Sequence, residues 1–141
     1  MSLDLGGLNW LAVIVGAVIY FVLGAVWFAP PVFGKPWMAA IGFDESRPRP
    51  EMNPASYVGP AIFYLIASIA TGLLAKATGT DTLTEGIILG LVVGVGYALV
   101  VTATDAVFDP NKPKPWNWFT ISGAYHVVSL AIVGAEFGLL K

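Results

Sequence analysis

The sequence predicts an all-α fold, an integral membrane four-helix bundle made of two helical hairpins. Of its 141 residues, 57% are hydrophobic and 11% are charged, whereas soluble domains usually carry roughly a quarter charged residues. Four runs are long enough to cross a bilayer, which takes about 20 mainly apolar residues. They cover approximately residues 9–29, 55–78, 83–108 and 116–140, and none has a lysine or arginine in its middle. We therefore expect residues 1–141 to form a single transmembrane domain.

The first predicted helix begins at Asn9 and ends before Pro30 and Pro31, because proline cannot continue a helical backbone. Asp4 precedes it without any lysine or arginine, whereas a secretory signal peptide begins with positive charge. We therefore expect a retained helix. The following connection, PPVFGKPWMAAIGFDESRPRPEMN, is apolar in its first half, which we expect at the headgroup boundary. Its second half is polar, and we expect it in solvent.

Capping residues define the next two helices. Asn53 followed by Pro54 starts the second helix, and Gly79 is placed to end it in a left-handed conformation. Thr82 and Glu85 have the spacing of a capping box, in which each side chain accepts a hydrogen bond from the other residue's amide. This box fixes the start of the third helix. The sequence DPNKPKPW then separates the third helix from the fourth.

The basic residues set the expected orientation. Five lie in the first and third connections and two on the other side: Lys35, Arg47, Arg49, Lys112 and Lys114 against Lys76 and Lys141. Because cytoplasmic connections carry the excess of basic residues, we expect these two connections in the cytoplasm and both termini outside. In a prokaryote the membrane would be the cytoplasmic (inner) membrane.

One face of the fourth helix carries small and polar residues at steps of four, three, four and three. They are Ser122, His126, Ser129, Val133 and Glu136. Residues at this spacing share a helix face. Each unsatisfied polar group costs several kcal/mol among acyl chains, so we expect this face to point toward the bundle axis.

Glycines form a ridge on the third helix at Gly86, Gly90 and Gly94, and Gly16 and Gly24 are packing positions of the first helix. Small residues four apart let two helix backbones approach closely, which supplies dispersion contact where lipid gives no hydrophobic drive. Two interpretations of the ridge stay open. It packs within the bundle, or it forms a contact between subunits if it faces outward.

Four polar aromatic residues are predicted at one depth, one on each helix: Tyr20, Tyr64, Tyr97 and His126. Each lies roughly ten residues, or about 15 Å at helical rise, from the cytoplasmic end of its helix. This depth is near the midplane of a ~30 Å hydrocarbon core. We expect Tyr97 to continue the glycine stripe inward, and the tyrosine hydroxyls to be hydrogen-bond partners of a neutral imidazole.

Three titratable residues are candidates for a ligand site or a polar core. His126 is either a proton-accepting or ligand-binding group or a hydrogen-bonded hub that fixes helix register, and we favour the hub. Asp105 either binds a cation or a substrate amine or pairs with Lys112 or Lys114, and we favour the ion pair. Glu136 either acts within the membrane or simply reaches water from the outer end of its helix.

The composition excludes several classes of protein. No motif of a hydrolase, zinc protease or phosphate-binding loop occurs, and Asp105 and Glu136 are predicted at opposite membrane faces, so we expect no enzyme. The chain has one histidine and no cysteine, which predicts no metal site and no cofactor. The net charge of −2 argues against a nucleic-acid partner.

The segments LNWLAVIVGAVIYFVLGAVWFAPPVFGKPWM at 8–38 and GAYHVVSLAIVGA at 123–135 resemble the bacterial and archaeal membrane family known as domain of unknown function 1761. The most specific parts are Asn9-Trp10, the helix end from Trp27 to Pro30, and Tyr125-His126 in the fourth helix. The resemblance covers essentially the whole chain and implies a four-span architecture. The family has no established activity, so it implies no catalytic residues.

Three functions remain as hypotheses. The leading one is a non-enzymatic membrane protein, with the bilayer as its partner, that binds a small or lipophilic ligand between its helices as a homo-oligomer. The alternatives are a proton-coupled small-solute transporter or channel, in which His126 titrates, and a structural partner of another membrane protein. A ligand-binding protein needs an apolar slot or lateral opening, a transporter needs a water path to His126, and a partner subunit needs an outward glycine ridge.

Overall fold

The computed structural model describes residues 4–44, 46 and 53–140, and these are helical with short connections. The α-helices are α1 (Trp10–Trp27), α2 (Lys35–Ala40), α3 (Val58–Thr78), α4 (Leu83–Val93), α5 (Leu99–Phe108) and α6 (Pro115–Leu139). Short 3₁₀ helices at Leu5–Gly7 and Pro54–Tyr57 precede α1 and α3. A π-helical turn at Pro30–Gly34 leads into α2, and a second at Gly94–Ala98 joins α4 to α5.

Four helical stretches are long and apolar enough to cross a membrane: Trp10–Trp27, Pro54–Thr78, Leu83–Phe108 and Pro115–Leu139. Many large apolar side chains on them lie at the surface, among them Leu11, Phe63 and Val92. A water-soluble bundle would bury such residues, whereas lipid accepts them. The chain is therefore an all-α integral membrane protein, which confirms the predicted fold class.

Helix α6 is the centre of the bundle, because it packs against α1, α3, α4 and α5 as well as against the short α2. Helices α1 and α3 pair as one hairpin, and the continuous span α4–α5 pairs with α6 as the other. Helix α3 makes few contacts with α4. The face of α6 predicted to point inward does so, with Ser129 and Val133 fully buried.

The backbones of α4 and α6 meet closely at a glycine seam. A Cβ atom on Gly86 would overlap the Gly134 carbonyl oxygen, and one on Gly90 would overlap that of Leu130. The approach is reciprocal, since a Cβ on Gly134 would overlap the Gly86 carbonyl oxygen. The glycine ridge therefore packs within the bundle, and the interpretation as an outward subunit contact is wrong.

The π-helical turn in the third span corrects one predicted position. The Leu99 amide donates to the Gly94 carbonyl oxygen, five residues back, where an α-helix would use four. The added residue in this turn rotates the side chains that follow Gly94 about the helix axis, relative to their positions in an uninterrupted α-helix. The face toward α6 continues through Ala106, which is buried, while Tyr97 is 70% exposed at the surface. Tyr97 therefore does not continue the glycine stripe inward.

The predicted caps explain where the helices begin and end. The Asn9 side chain accepts a hydrogen bond from the Ala12 amide at the start of α1. The capping box at the start of α4 is complete, with both side chains of Thr82 and Glu85 accepting from amides. Gly79 ends α3 with a φ of 66°, in the left-handed region that glycine adopts without strain.

The apolar half of the first connection folds as α2 and packs on α6. The indole N–H of Trp37 donates to the Ser122 hydroxyl at 3.1 Å. The Lys114 amide donates to the Ala40 carbonyl oxygen at 3.2 Å, which joins the first connection to the third. The predicted solvated half of the first connection, including Arg47 and Arg49, lies mostly outside the described residues.

Candidate ligand site in the membrane core

An aromatic cluster occupies the middle of the bundle where α1, α3 and α6 meet. The rings of Tyr20 and Tyr64 are stacked with centroids 4.5 Å apart. The Tyr20 hydroxyl is hydrogen-bonded to Nδ1 of His126 at 2.7 Å. The structure thus brings together three of the four residues predicted at one depth. The fourth, Tyr97, lies at the surface because of the π-helical turn.

Tyr125 belongs to this cluster although sequence reasoning did not select it as a site residue. Its side chain is 1% exposed, and its hydroxyl donates to the Tyr20 carbonyl oxygen at 2.8 Å. Its ring meets that of Tyr20 edge-on at 5.5 Å. Gly24 makes room for it, because a Cβ there would lie 2.7 Å from the Tyr125 hydroxyl oxygen. The signal in the sequence was this glycine on α1, about one turn beyond Tyr20.

A slot with a volume of about 390 Å³ lies between α3 and the span α4–α5, where these two helices hardly touch. Its walls are nearly all apolar: Ala67, Ala70, Leu74, Val93, Ala98, Val101 and Leu130, together with Thr71 and Thr102. Tyr20 and His126 also line it, and Tyr97 lies at its exposed rim. The slot therefore runs from the lipid-facing surface to the aromatic cluster.

His126 lines the slot, and one of its two ring nitrogens is engaged. Nδ1 is engaged by Tyr20, and within the described part of the chain the other nitrogen has no hydrogen-bond partner. The two threonine hydroxyls of the slot are already used, since Thr71 donates to the Ala67 carbonyl oxygen and Thr102 to that of Ala98. A neutral imidazole with one nitrogen engaged can donate or accept at the other, depending on its tautomer.

A second opening lies between α1 and α3 and provides a comparison. It has a volume of about 380 Å³ and is lined by Ile14, Ala17, Val18, Phe21, Ala61 and Leu65. No polar side chain lines it. The two openings are similar in size, and they differ in that only the slot reaches a hydrogen-bonding group.

Asp105 lies away from the slot in an ion pair. Lys112 Nζ is 3.0 Å from the Asp105 carboxylate, and it also pairs with Asp109 and lies over the Trp118 ring. The hydrogen bond from Lys112 holds the pKa of Asp109 below its usual range, and the same bond raises the pKa of Lys112. The favoured interpretation of Asp105 as the partner of a nearby lysine is confirmed.

Glu136 is buried at the other end of α6, ten residues or about 15 Å along the helix from His126. Only 8% of it is exposed, and neither carboxyl oxygen has a hydrogen-bond partner among the described residues. Of the two alternatives for Glu136, the one in which it simply reaches water is wrong, because its carboxyl group is buried where α6 packs against α1 and α3. Within the described residues, no three histidine, aspartate or glutamate side chains come together as a metal site would require.

Comparison with known proteins places these residues in a family. A sequence model of the family described as "Protein of unknown function (DUF1761)" matches residues 11–138, which include the aromatic cluster, the slot and Glu136. No curated protein and no solved structure matches the chain.

Proposed function

Because the chain belongs to the DUF1761 family, to which no function is assigned, we propose its function from its geometry: a non-enzymatic membrane protein that binds a lipophilic ligand in the slot between α3 and α4–α5. The observation that carries the proposal is an apolar slot that ends at His126 and Tyr20. Small-molecule sites are usually concave and mostly apolar, with a few polar groups that fix orientation.

The chemistry of the slot defines the class of ligand. Its apolar walls match a hydrocarbon chain or ring system, and its volume is within the roughly 300–1,000 Å³ of ordinary ligand pockets. The free ring nitrogen of His126 matches one hydroxyl or carbonyl group. A long-chain alcohol, ketone or similar amphiphile has both parts and reaches the slot laterally from the bilayer.

The slot also favours this function over the two alternatives. A structural partner docked through the glycine ridge has no free ridge to use, because α6 already fills it. A transporter requires a water path to His126, and the side chains around the slot are nearly all apolar. Homo-oligomerisation stays a prediction, to be checked by the mass of the protein in lipid nanodiscs.

Two alanines on α3 provide a matched test of the slot. Ala70 lines the slot and Ala61 lines the second opening, and both are exposed. The probe is a photo-crosslinkable long-chain alcohol in vesicles that contain the protein, with adducts mapped by mass spectrometry. We expect adducts on slot residues, reduced at least several-fold by Ala70→Leu and unchanged by Ala61→Leu, because only the first substitution narrows the slot.

The polar end of the slot is tested with His126→Phe, which retains an aromatic ring and removes both nitrogens. We expect it to lower labelling by the alcohol and to leave labelling by an alkane of equal length unchanged. Equal labelling of the two openings, or equal loss for both alanine variants, would contradict the proposed site.

A further inference from the structure

The carboxyl group of Glu136 is the one buried charged side chain among the described residues. Both of its oxygens are inaccessible at the surface, and neither has a hydrogen-bond partner in this part of the chain. It faces α1 at Gly16, where a Cβ would lie 3.2 Å from Glu136 Oε2, 3.1 Å from Val133 and 2.6 Å from the Ser68 hydroxyl oxygen. The carboxyl group is thus enclosed where α1, α3 and α6 meet.

The described residues around Glu136 offer its carboxyl group hydrogen-bond acceptors and no free donor. The Ser68 hydroxyl donates to the Val13 carbonyl oxygen at 2.7 Å, so its proton is not available to Glu136. Helix backbone amides in this part of α1 and α3 are engaged along their own helices. An ionised carboxylate needs donors or a cation, whereas a carboxylic acid can itself donate to an oxygen such as that of Ser68.

Among the residues that the structure describes, no charged group near Glu136 compensates a negative charge. Helix α1 presents Gly16 and Val13 to it, and α3 presents Ser68. Lys76, two turns further along α3, is paired with Asp4 at 2.8 Å. On α4, Glu85 is engaged in its capping box. An isolated carboxylate in such surroundings is penalised by several kcal/mol or more.

From this geometry we infer that Glu136 is a proton-binding site within the membrane, occupied in the packed bundle as a neutral carboxylic acid. The ligand is a proton, and the site is separate from the slot at His126. Release of the proton requires water or a cation at the carboxylate. The carboxyl group lies against the contact of α1 with α6 at Gly16, so we expect proton release to be coupled to separation of these two helices.

Infrared spectroscopy of the protein in lipid vesicles tests the inference directly. We expect, at pH 7, a carbonyl stretch from one protonated carboxylic acid that shifts in D₂O. The band should be absent from Glu136→Gln and retained in Glu85→Gln, whose carboxylate lies at the surface. A wild-type spectrum without this band, or a band that persists in Glu136→Gln, would overturn the inference.

Melting temperatures measured against pH provide a second test, which does not depend on resolving the infrared band from those of other groups. The glutamine side chain has nearly the shape of the neutral acid and cannot ionise. We expect Glu136→Gln and the wild type to melt at the same temperature in acid, and the variant to melt higher as the pH is raised, because the wild type then loses its bound proton. Parallel melting curves across the pH range would overturn the inference.

Discussion

Tyr20 joins α1 to α6 through two different atoms. Its hydroxyl is bonded to His126, and its carbonyl oxygen accepts from the Tyr125 hydroxyl. Because both partners are neighbours on α6, a rotation of either helix about its axis would break both bonds. The cluster therefore fixes the rotation of α1 relative to α6, which is the hub role expected of His126, and this role is compatible with a ligand on its second nitrogen.

Tyr125→Phe tests this bond at the scale of one atom. The substitution retains the ring and removes the hydroxyl. We therefore expect the free energy of unfolding to fall by about 0.6 kcal/mol, the average for side-chain hydrogen bonds between membrane helices. Unfolding in a denaturing detergent measures it. Tyr97→Phe is the control, because Tyr97 is exposed and the same change there should leave stability unaltered. Equal losses for the two variants would contradict the assignment.

At the scale of the helices, the α4–α6 seam depends on the absence of side chains. Gly86, Gly90 and Gly134 bring the two backbones into direct contact, and this contact supplies the dispersion energy that lipid cannot. The π-helical turn ends the seam at Gly94. Beyond it α5 packs through larger residues, and the slot opens beside this change.

The seam predicts opposite outcomes for one substitution at two glycines of the same span. Gly90→Ala forces a methyl group into the Leu130 carbonyl. We therefore expect the free energy of unfolding to fall by about 1–3 kcal/mol, as in overpacked cores. A Cβ on Gly96 meets nothing within 4 Å, so Gly96→Ala should be neutral or stabilising by up to about 1 kcal/mol through helix propensity. Unfolding in denaturing detergent compares the two, and similar losses would contradict the seam.

Helix boundaries and inward faces followed from the sequence because they depend on local rules. Caps at Asn9 and Thr82 and the periodicity of α6 need only the chemistry of near neighbours. The position of Tyr97 could not be predicted, because a single π-helical turn breaks the period from which it was inferred. The inward face of Glu136 was predicted, but its complete enclosure was left open, since that depends on how α1 and α3 pack on α6.

At the scale of the whole molecule, the third connection is joined to the described part of the first. Lys112 holds Asp105 and Asp109, and the Lys114 amide reaches Ala40 at the end of α2. The third connection is thus fixed both to α5, through Asp105, and to α2, through Ala40. This tertiary contact between connections lay beyond prediction from the sequence, although the pairing of Asp105 with a nearby lysine was foreseen.

The ion pair of Asp109 predicts an acid dependence of stability. Its pKa is lowered from the usual 3.8 by the hydrogen bond from Lys112, so the folded state binds the proton less readily than the unfolded state. The stabilisation is present above this usual value and is lost as the pH falls through the lowered value. Melting temperatures from pH 7 to about pH 3 should therefore fall more in the wild type than in Asp109→Asn.

If the melting temperatures of the wild type and of Asp109→Asn fall in parallel, the ion pair does not contribute to stability. Because Asp109 lies at the surface, salt should reduce the difference between the two proteins.

The central position of α6 has a consequence for biogenesis. This helix follows the other three spans along the chain, yet it supplies the partner of the glycine seam and of the Tyr20 hydroxyl. Before it enters the bilayer only the α1–α3 hairpin can pack, and the α4–α5 span lacks its main partner. Completion of the bundle therefore waits for the last span, and quality control of the nascent protein has to tolerate the glycine face of α4 in lipid until then.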